Sequence, residues 1–359
     1  MTEALLTEET PVSSSDNIIL SIVDLKKVFI AKLGFFASLR RSPNRIRAVD
    51  GVSFEIRRGE IFGLAGESGC GKTTVARTAL RLVEPTSGHI IFKGKDVTHV
   101  SRSEEARLRP KMQIVFQDPY ESINSRFSVF DVVAEGIRIN KGLLDVRSDA
   151  QISDMVEKAM NVVQLIPPSQ FMPRFPHELS GGQRQRVAIA RALILQPELI
   201  IMDEPVSMLD VSIRAEVLNV MIKLSQEFGI SILFITHDLA LAKHVTDRLA
   251  IMYLGKIVEM GQSAELIDNP LHPYAQALIA AIPVPDPDGR KVKVFAGGEV
   301  PSAISIPPGC RFHTRCPYAK ELCKTAEPEL RLISGEHYVA CHYYEEASAA
   351  YRSSRYSSN

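Results

Sequence analysis

Short apolar runs that end on glycine or on acids alternate along this chain with longer stretches of three-to-four-residue apolar spacing. "DGVSFEIRRGEIFGLAG" reads as two strands, the second closing on glycine. "ELIIMDEP" is a strand from Leu199 to Met202 that opens onto two acids, and "ISILFITHD", from Ile230, repeats the pattern. "SDAQISDMVEKAMNVVQL" and "GGQRQRVAIARALILQ" carry helical spacing; the second places Val187, Ala190, Leu193 and Ile194 on one face. Alternation of this kind predicts an α/β domain around a largely parallel sheet.

Composition narrows the picture without supplying a function. At 359 residues the chain can hold one large or two moderate domains. Lys and Arg total 42 and are offset by 42 Asp and Glu, so no global field draws in nucleic acid or an anionic bilayer. The start, "MTEALLTEETPVSSSDN", is acidic and polar, unlike a secretory signal. No apolar run approaches the roughly 18 residues of a membrane span. A cytosolic protein is expected, working at a membrane only through partner chains. Residues 1–16 and 346–359 read as disordered tails, and "IPVPDPDGR", 282–290, as a linker. The region beyond that linker is small and rich in Pro, Gly and Cys, with little prospect of a core of its own.

Candidate chemistry begins in "GLAGESGCGKTT", where GxxxxGK followed by Ser or Thr runs from Gly66 to Thr73 between a strand and a helix. Backbone N–H groups of Gly66, Glu67, Ser68, Gly69, Cys70 and Gly71 can curl around phosphates, with Thr74 just inside the following helix. Lys72 can reach the β- and γ-phosphate oxygens, and the Thr73 hydroxyl can bind Mg²⁺. A coincidental Gly-rich turn would give such a match in roughly one per cent of chains this long. "LIIMDE" then brings Asp203 toward the metal and Glu204 toward the γ-phosphate, as general base for the attacking water. Two acids at a strand end would by themselves suggest a solvated turn; beside a phosphate loop they suggest catalysis. His237, at the end of "ISILFITHD", is expected to contact the γ-phosphate.

"LSGGQRQR", 179–186, places a serine and two glycines before a second long helix, another N-terminus suited to phosphate. An ordinary N-cap by Ser180 is the plain alternative. With this stretch the chain resembles the ATP-binding subunits of ABC transporters, whose signature is LSGGQ. The other motifs stand in the expected order: Gln117 in "IVFQDP" precedes the signature, and "SMLD", 207–210, lies between "LIIMDE" and His237. The resemblance covers roughly residues 17–345. It implies a P-loop NTPase of ABC type: a RecA-like core with a β subdomain and a helical signature subdomain. Two such domains then pack head to tail, so that Ser180, Gly181, Gly182 and Gln183 of one face the ATP of the other. It further implies that Gln117 contacts Mg²⁺ and the water, that Asp210 communicates across the dimer, and that Phe29, in "DLKKVF", stacks on adenine. For Phe29 a core position in an early strand is nearly as well supported, and Phe35 or Phe36 compete. Met208 stands where the family usually has alanine.

"NPLHPYAQALIAAIP", 269–283, and "GEVPSAISIPPGCRFHTRCPYA", 298–319, look like the C-terminal extension of oligopeptide/dipeptide importer ATPases. The stretch before the second strand is similar to the second ATPase of those heterodimeric systems. The implied layout is an ATP-binding domain over 17–268 and an importer-type extension over 269–345. The implied partners are a second, homologous ATPase, two transmembrane permease subunits and, indirectly, an extracytoplasmic solute-binding protein, with no nucleic acid. The implied place is the cytoplasmic face of the cell membrane, as a peripheral subunit. Oligosaccharide or metal cargo, or a soluble non-transport ABC ATPase, are the alternatives. Cys310, Cys316, Cys323 and Cys341 follow a C-x5-C-x6-C-x17-C spacing that fits neither tight zinc pairs nor common ferredoxin runs. Spacing leaves zinc, an iron–sulfur cluster and plain buried thiols open, and a cytosolic setting argues against disulfides. The resemblance implies a 4Fe–4S cluster, with zinc as the alternative. Cys70 fills a spacer position in the phosphate loop and is given no chemistry.

Overall fold

The computed structural model describes residues 17–30, 45–140, 142, 146, 148–282 and 301–356. The expected N-terminal tail 1–16, Phe35, Phe36 and the linker beyond Ile282 lie outside the described residues. Twelve described strands form two sheets. They are β1 (Ile18–Ile30), β2 (Arg45–Arg57), β3 (Ile61–Ala65), β4 (Ser87–Phe92), β5 (Lys95–Asp96), β6 (Met112–Val115), β7 (Leu199–Asp203), β8 (Ser231–Thr236), β9 (Arg248–Tyr253), β10 (Lys256–Gln262), β11 (Arg331–Ser334) and β12 (His337–Val339).

The larger sheet runs β11-β12-β10-β9-β3-β8-β7-β6. From β9 to β6 its neighbours are parallel; β10, β12 and β11 join antiparallel at the other edge. Every residue of β3, β7, β8 and β9 is buried, as strands covered on both faces require. Side chains alternate between two cores. Ile200, Met202, Ile232 and Phe234 face a helical layer. Leu199, Ile201, Leu233 and Ile235 face the smaller antiparallel sheet, β2-β1-β4-β5.

The helical layer contains Val129–Ile139, Asp149–Val162, Gly181–Leu193 and Val211–Phe228. Val187, Ala190, Leu193 and Ile194 are buried as their spacing predicts, and so are Ala188, Ile189 and Ala192, because neighbours surround this helix on several sides. Among the described residues no helix is long and apolar enough to cross a membrane.

One expectation beyond the linker fails and another is explained. The stretch 346–359, read as a disordered tail, is helical through Tyr356 in the helix Tyr344–Tyr356. Ala347 and Tyr351, one turn apart, are 0% and 4% exposed, and this helix packs against the helix Pro273–Ala280; burying that pair offsets the ordering cost of a Ser-rich segment. Nor does the extension need its own core. Its Phe312 joins Tyr253, Leu254 and Tyr274 in one cluster, while β12 pairs with β10 and β11 with β12.

Candidate active site

β3 ends at Ala65, and the loop 66–71 leads into the helix Lys72–Ala79. Two glycines hold the loop close to neighbouring backbone. A Cβ on Gly66 would lie 2.2 Å from the Met252 carbonyl oxygen, and one on Gly71 would lie 2.1 Å from that of Ala48; both have positive φ. No L side chain fits either place. Ser68 and Gly69 form the exposed crown, Cys70 is buried, and Thr74 lies inside the first helical turn. Lys72 is 5% exposed and its ammonium is folded back into the loop, donating to the carbonyls of Gly66 (2.7 Å) and Glu67 (3.1 Å). Burial pushes the Cys70 thiol up, so it stays protonated. The backbone carbonyl of Cys70 accepts the Gly255 N–H at 2.9 Å.

The parallel strands β7 and β8 deliver the next residues to the same edge of the sheet as β3. The Thr73 hydroxyl donates to Asp203 Oδ1 at 3.1 Å. Asp203 is 4% exposed, and burial, aided by the Glu204 charge, raises its carboxyl above the ordinary range. A desolvated carboxylate beside a hydroxyl and the Lys72 helix end suits a hard, oxygen-seeking cation. Glu204 has φ 48°, a left-handed conformation that costs a non-glycine residue about 1–3 kcal/mol. Its N–H is tied to the Ile235 carbonyl at 3.0 Å, which turns the side chain out of the strand path. Two polar groups meet its Oε2: His237 Nδ1 at 3.0 Å and Gln117 Nε2 at 3.2 Å. The sequence placed Glu204 and His237 at the γ-phosphate and the resemblance gave Gln117 to Mg²⁺ and the water; the structure brings His237 and Gln117 onto one Glu204 oxygen. Sequence reasoning missed Ser207, whose hydroxyl donates to the Glu204 carbonyl (3.0 Å) and lies 3.4 Å from Gln117 Nε2.

Phe29 lies near the end of β1, 38% exposed, with the Lys27 ammonium 5.0 Å from its ring centroid. The alternative of a core position is therefore overturned: its side of the strand faces outward. Ser180 caps the helix Gly181–Leu193 in a reciprocal box with Gln183, so both side chains serve the helix end in the single chain. The two glycines have a packing reason. A Cβ on Gly182 would lie 2.2 Å from Ile213 Cγ2, and one on Gly181 would lie 3.3 Å from Leu209 Cδ2. Asp210, exposed, begins the helix Val211–Phe228. No hydrogen bond joins residues 180–183 to the loop 66–73 within this one chain among the described residues.

The extension reaches the phosphate loop directly. Arg315 Nη1 and Nη2 donate to the two Glu67 carboxylate oxygens at 3.0 and 3.2 Å, and the Glu67 N–H donates to Tyr274 Oη at 2.9 Å. Arg311 binds the Asp50 carboxylate and the Leu254 carbonyl. Nothing in the spacing of "GCRFHTRCPYA" distinguished these two arginines from solvated ones; the only hint was their place in a short, cysteine-rich stretch.

Cys310, Cys316, Cys323 and Cys341 line one small cavity with His272, His313 and His342. Burial pushes the Cys316 thiol up to about 11 and the Cys341 thiol up to about 12, and neighbouring cysteines add to both shifts. Among the described residues, no three or more His, Cys, Asp or Glu are gathered as a metal ion requires. Neither the zinc nor the 4Fe–4S expectation finds such a group among the described residues; the four cysteines line one cavity without meeting at one point.

Residues 49–207 match the family model "ABC transporter", and residues 258–323 match "Oligopeptide/dipeptide transporter, C-terminal region". The chain is 45% identical over 335 residues to the oligopeptide transport ATP-binding protein AppF of Bacillus subtilis (strain 168), covering 92% of this chain and 99% of that one. It is 43% identical over 328 residues to the di/tripeptide transport ATP-binding protein DppF of Pseudomonas aeruginosa (strain UCBPP-PA14), covering 91% and 98%. Among solved structures it resembles the dimeric ATP-binding cassette MJ0796 in a post-hydrolysis state bound to ADP and Pi. That match has 25% identity and a TM-score of 0.59, over 68% of this chain and 99% of that one. A phosphate loop, a carboxylate with two polar partners and relatives matched over nearly their whole length converge on one answer: the chain is an ATPase and belongs to the ATP-binding subunits of the oligopeptide/dipeptide ABC importer family.

Proposed function

We propose that this chain hydrolyses ATP to drive uptake of oligopeptides or dipeptides by an ABC importer. The observation that carries the cargo class is the pairing of near-full-length similarity to oligopeptide and di/tripeptide transport ATPases with the matching C-terminal region. The loop 66–73 holds the phosphates, and Lys72 exchanges its two carbonyl partners for phosphate oxygens. Thr73, Asp203 and Gln117 would hold Mg²⁺, which would supply charge neutralisation for the phosphates. Glu204 accepts a proton from water as the water oxygen bonds to the γ-phosphorus. The bond from that phosphorus to the bridging oxygen breaks, and ADP leaves with the electron pair. Gln117 and His237, both on Glu204 Oε2, fix the carboxylate's direction. Proton transfer to such a base contributes about 10²–10⁴-fold.

Phe29, exposed at its strand end, supplies a face for adenine. Ser180, Gly181, Gly182 and Gln183 serve the partner's nucleotide, and Asp210 carries the signal across. The partners are a second homologous ATPase, two permease subunits and an extracytoplasmic binding protein, placing the chain on the cytoplasmic face of the membrane. The cysteines are read as holders of a 4Fe–4S cluster, with zinc as the alternative, because all four line one small cavity. Anaerobic purification with an absorbance scan near 400 nm and metal analysis tests this; stoichiometric zinc with no visible band rules the cluster out.

The decisive experiment for cargo is reconstitution with the permease subunits and binding protein in vesicles. ATP-dependent uptake of labelled di- to oligopeptides is expected. Uptake of an oligosaccharide or metal ion, with peptides ignored, would overturn the cargo.

A further inference from the structure

We infer that Arg315 is a positioning residue for ATP: by neutralising the Glu67 carboxylate, it keeps the phosphate loop able to accept a polyanion. Glu67 puts a carboxylate into the phosphate loop. Its carbonyl accepts from Lys72 Nζ, so its carboxylate rides on the peptide segment that orients the phosphate-binding lysine. A bare negative charge there opposes the field that the loop and its helix create for phosphate. Unit charges about 8 Å apart at an effective dielectric of about 20 change binding on the order of tenfold or more.

Arg315 answers that charge with a built site. Its two terminal nitrogens meet both carboxylate oxygens, an arrangement shorter-ranged and stronger than a single-point ion pair. Its side chain is 9% exposed against 28% for Glu67, so solvent screens the pair only in part. The guanidinium lies 5.9 Å from the Tyr253 ring centroid and 5.7 Å from that of Phe312. Tyr274 and Phe312, 5.4 Å apart, complete the aromatic wall, and the same Tyr274 takes the Glu67 N–H. The long side chain is therefore fixed before nucleotide arrives, and the neutralising charge is always present.

Docking of the extension alone does not account for this pair. Phe312 is buried in a shared core, Arg311 binds Asp50 and the Leu254 carbonyl, and β12 pairs with β10. With attachment secured three times over, the distinctive effect of Arg315 is the charge it brings to the loop. The extension thereby becomes a determinant of nucleotide affinity, whatever its cysteines hold.

The inference rests on the proposed placement of ATP in the loop 66–73, and the test separates the two. Mg–ATP is titrated onto the full chain by a fluorescent-nucleotide displacement assay, with melting curves for every variant. Lys72→Ala controls for placement: unchanged affinity there would remove ATP from the loop. With that control behaving, Arg315→Met is expected to weaken ATP about tenfold. Glu67→Gln added to Arg315→Met is expected to return affinity to within about threefold of the parent, because the unpaired charge has gone. In the assembled transporter the same Arg315→Met change raises KM with little effect on kcat. No loss in Arg315→Met, or a loss that Glu67→Gln leaves in place, would overturn the inference and make Arg315 a structural staple. If Arg315→Met does not fold, the uncharged pair Glu67→Gln with Arg315→Gln carries the test: near-parental affinity supports the inference and a tenfold loss overturns it.

Discussion

The phosphate loop and the cysteine-rich extension touch at Glu67, yet they are held in place by different means. The loop is local. Its residues are contiguous, with glycines at the two points where a side chain would strike the Met252 and Ala48 backbones, and a lysine bonded within its own loop. The extension is assembled from afar. Arg315 meets a carboxylate 248 positions earlier, Arg311 meets Asp50 across 261, and His337 meets Glu259 across 78. Geometry of the first kind admits no side chain at Gly66 or Gly71; distributed contacts of the second kind can be lost singly. The chemistry thus sits where the chain is least negotiable, and its adjustment sits where it is most so.

The sharpest way to break that contrast is Glu204→Gln. Turnover of the assembled transporter is expected to fall about 10²–10⁴-fold while Mg–ATP still binds, as phosphate release and nucleotide titration would read. Unchanged turnover would take the chemistry away from this strand end. Smaller, but on the same side of the comparison, is Gly182→Ala. The added methyl meets Ile213 Cγ2 at 2.2 Å, and a loss of about 1–3 kcal/mol in denaturant unfolding is expected. Ile213→Ala in the same chain should recover part of it; no loss at all would show that the two helices part easily.

The smallest effect tests the extension side through pH. His272 is fully buried; its Nδ1 accepts the Tyr274 N–H at 3.0 Å, and burial pushes its ring from 6.5 down to about 3. Below 6.5 the unfolded chain takes up a proton that the fold refuses, so this contribution is whole above 6.5 and lost as pH falls toward 3. Up to about 1.4 kcal/mol per pH unit should separate wild type from His272→Asn, which keeps an acceptor for the cap and cannot titrate. Parallel urea curves at pH 7 and pH 5 give the two slopes, and equal slopes would show that His272 is not shielded.

How far these regions could be read from sequence follows the same division. The gathering of Lys72, Asp203, Glu204 and His237 was legible because each stands at a strand end or in a contiguous motif. The parallel strands were legible because they are apolar throughout. Ser207 was hidden because its role depends on Glu204 turning back through a left-handed backbone. β11 and β12, four and three residues long, carry no alternation clear enough to announce a strand. The helix Tyr344–Tyr356 was masked by its serines and acids, since among the described residues its buried side is Ala347, Ser348 and Tyr351. Arg315 and Tyr274 take their meaning from a partner that only folding supplies.

The pairing of β12 with β10 has a practical consequence for dissecting the protein. With the chain cut after the helix Pro273–Ala280, β10 becomes the rim of the large sheet, presenting unpaired amides beside Ile257, Val258 and Met260. Such a bare, apolar rim invites other chains to add to it. A shortened cassette would stick to its copies, and self-association would pass for loss of catalysis; the extension also acts as a selvedge that keeps the woven edge from catching.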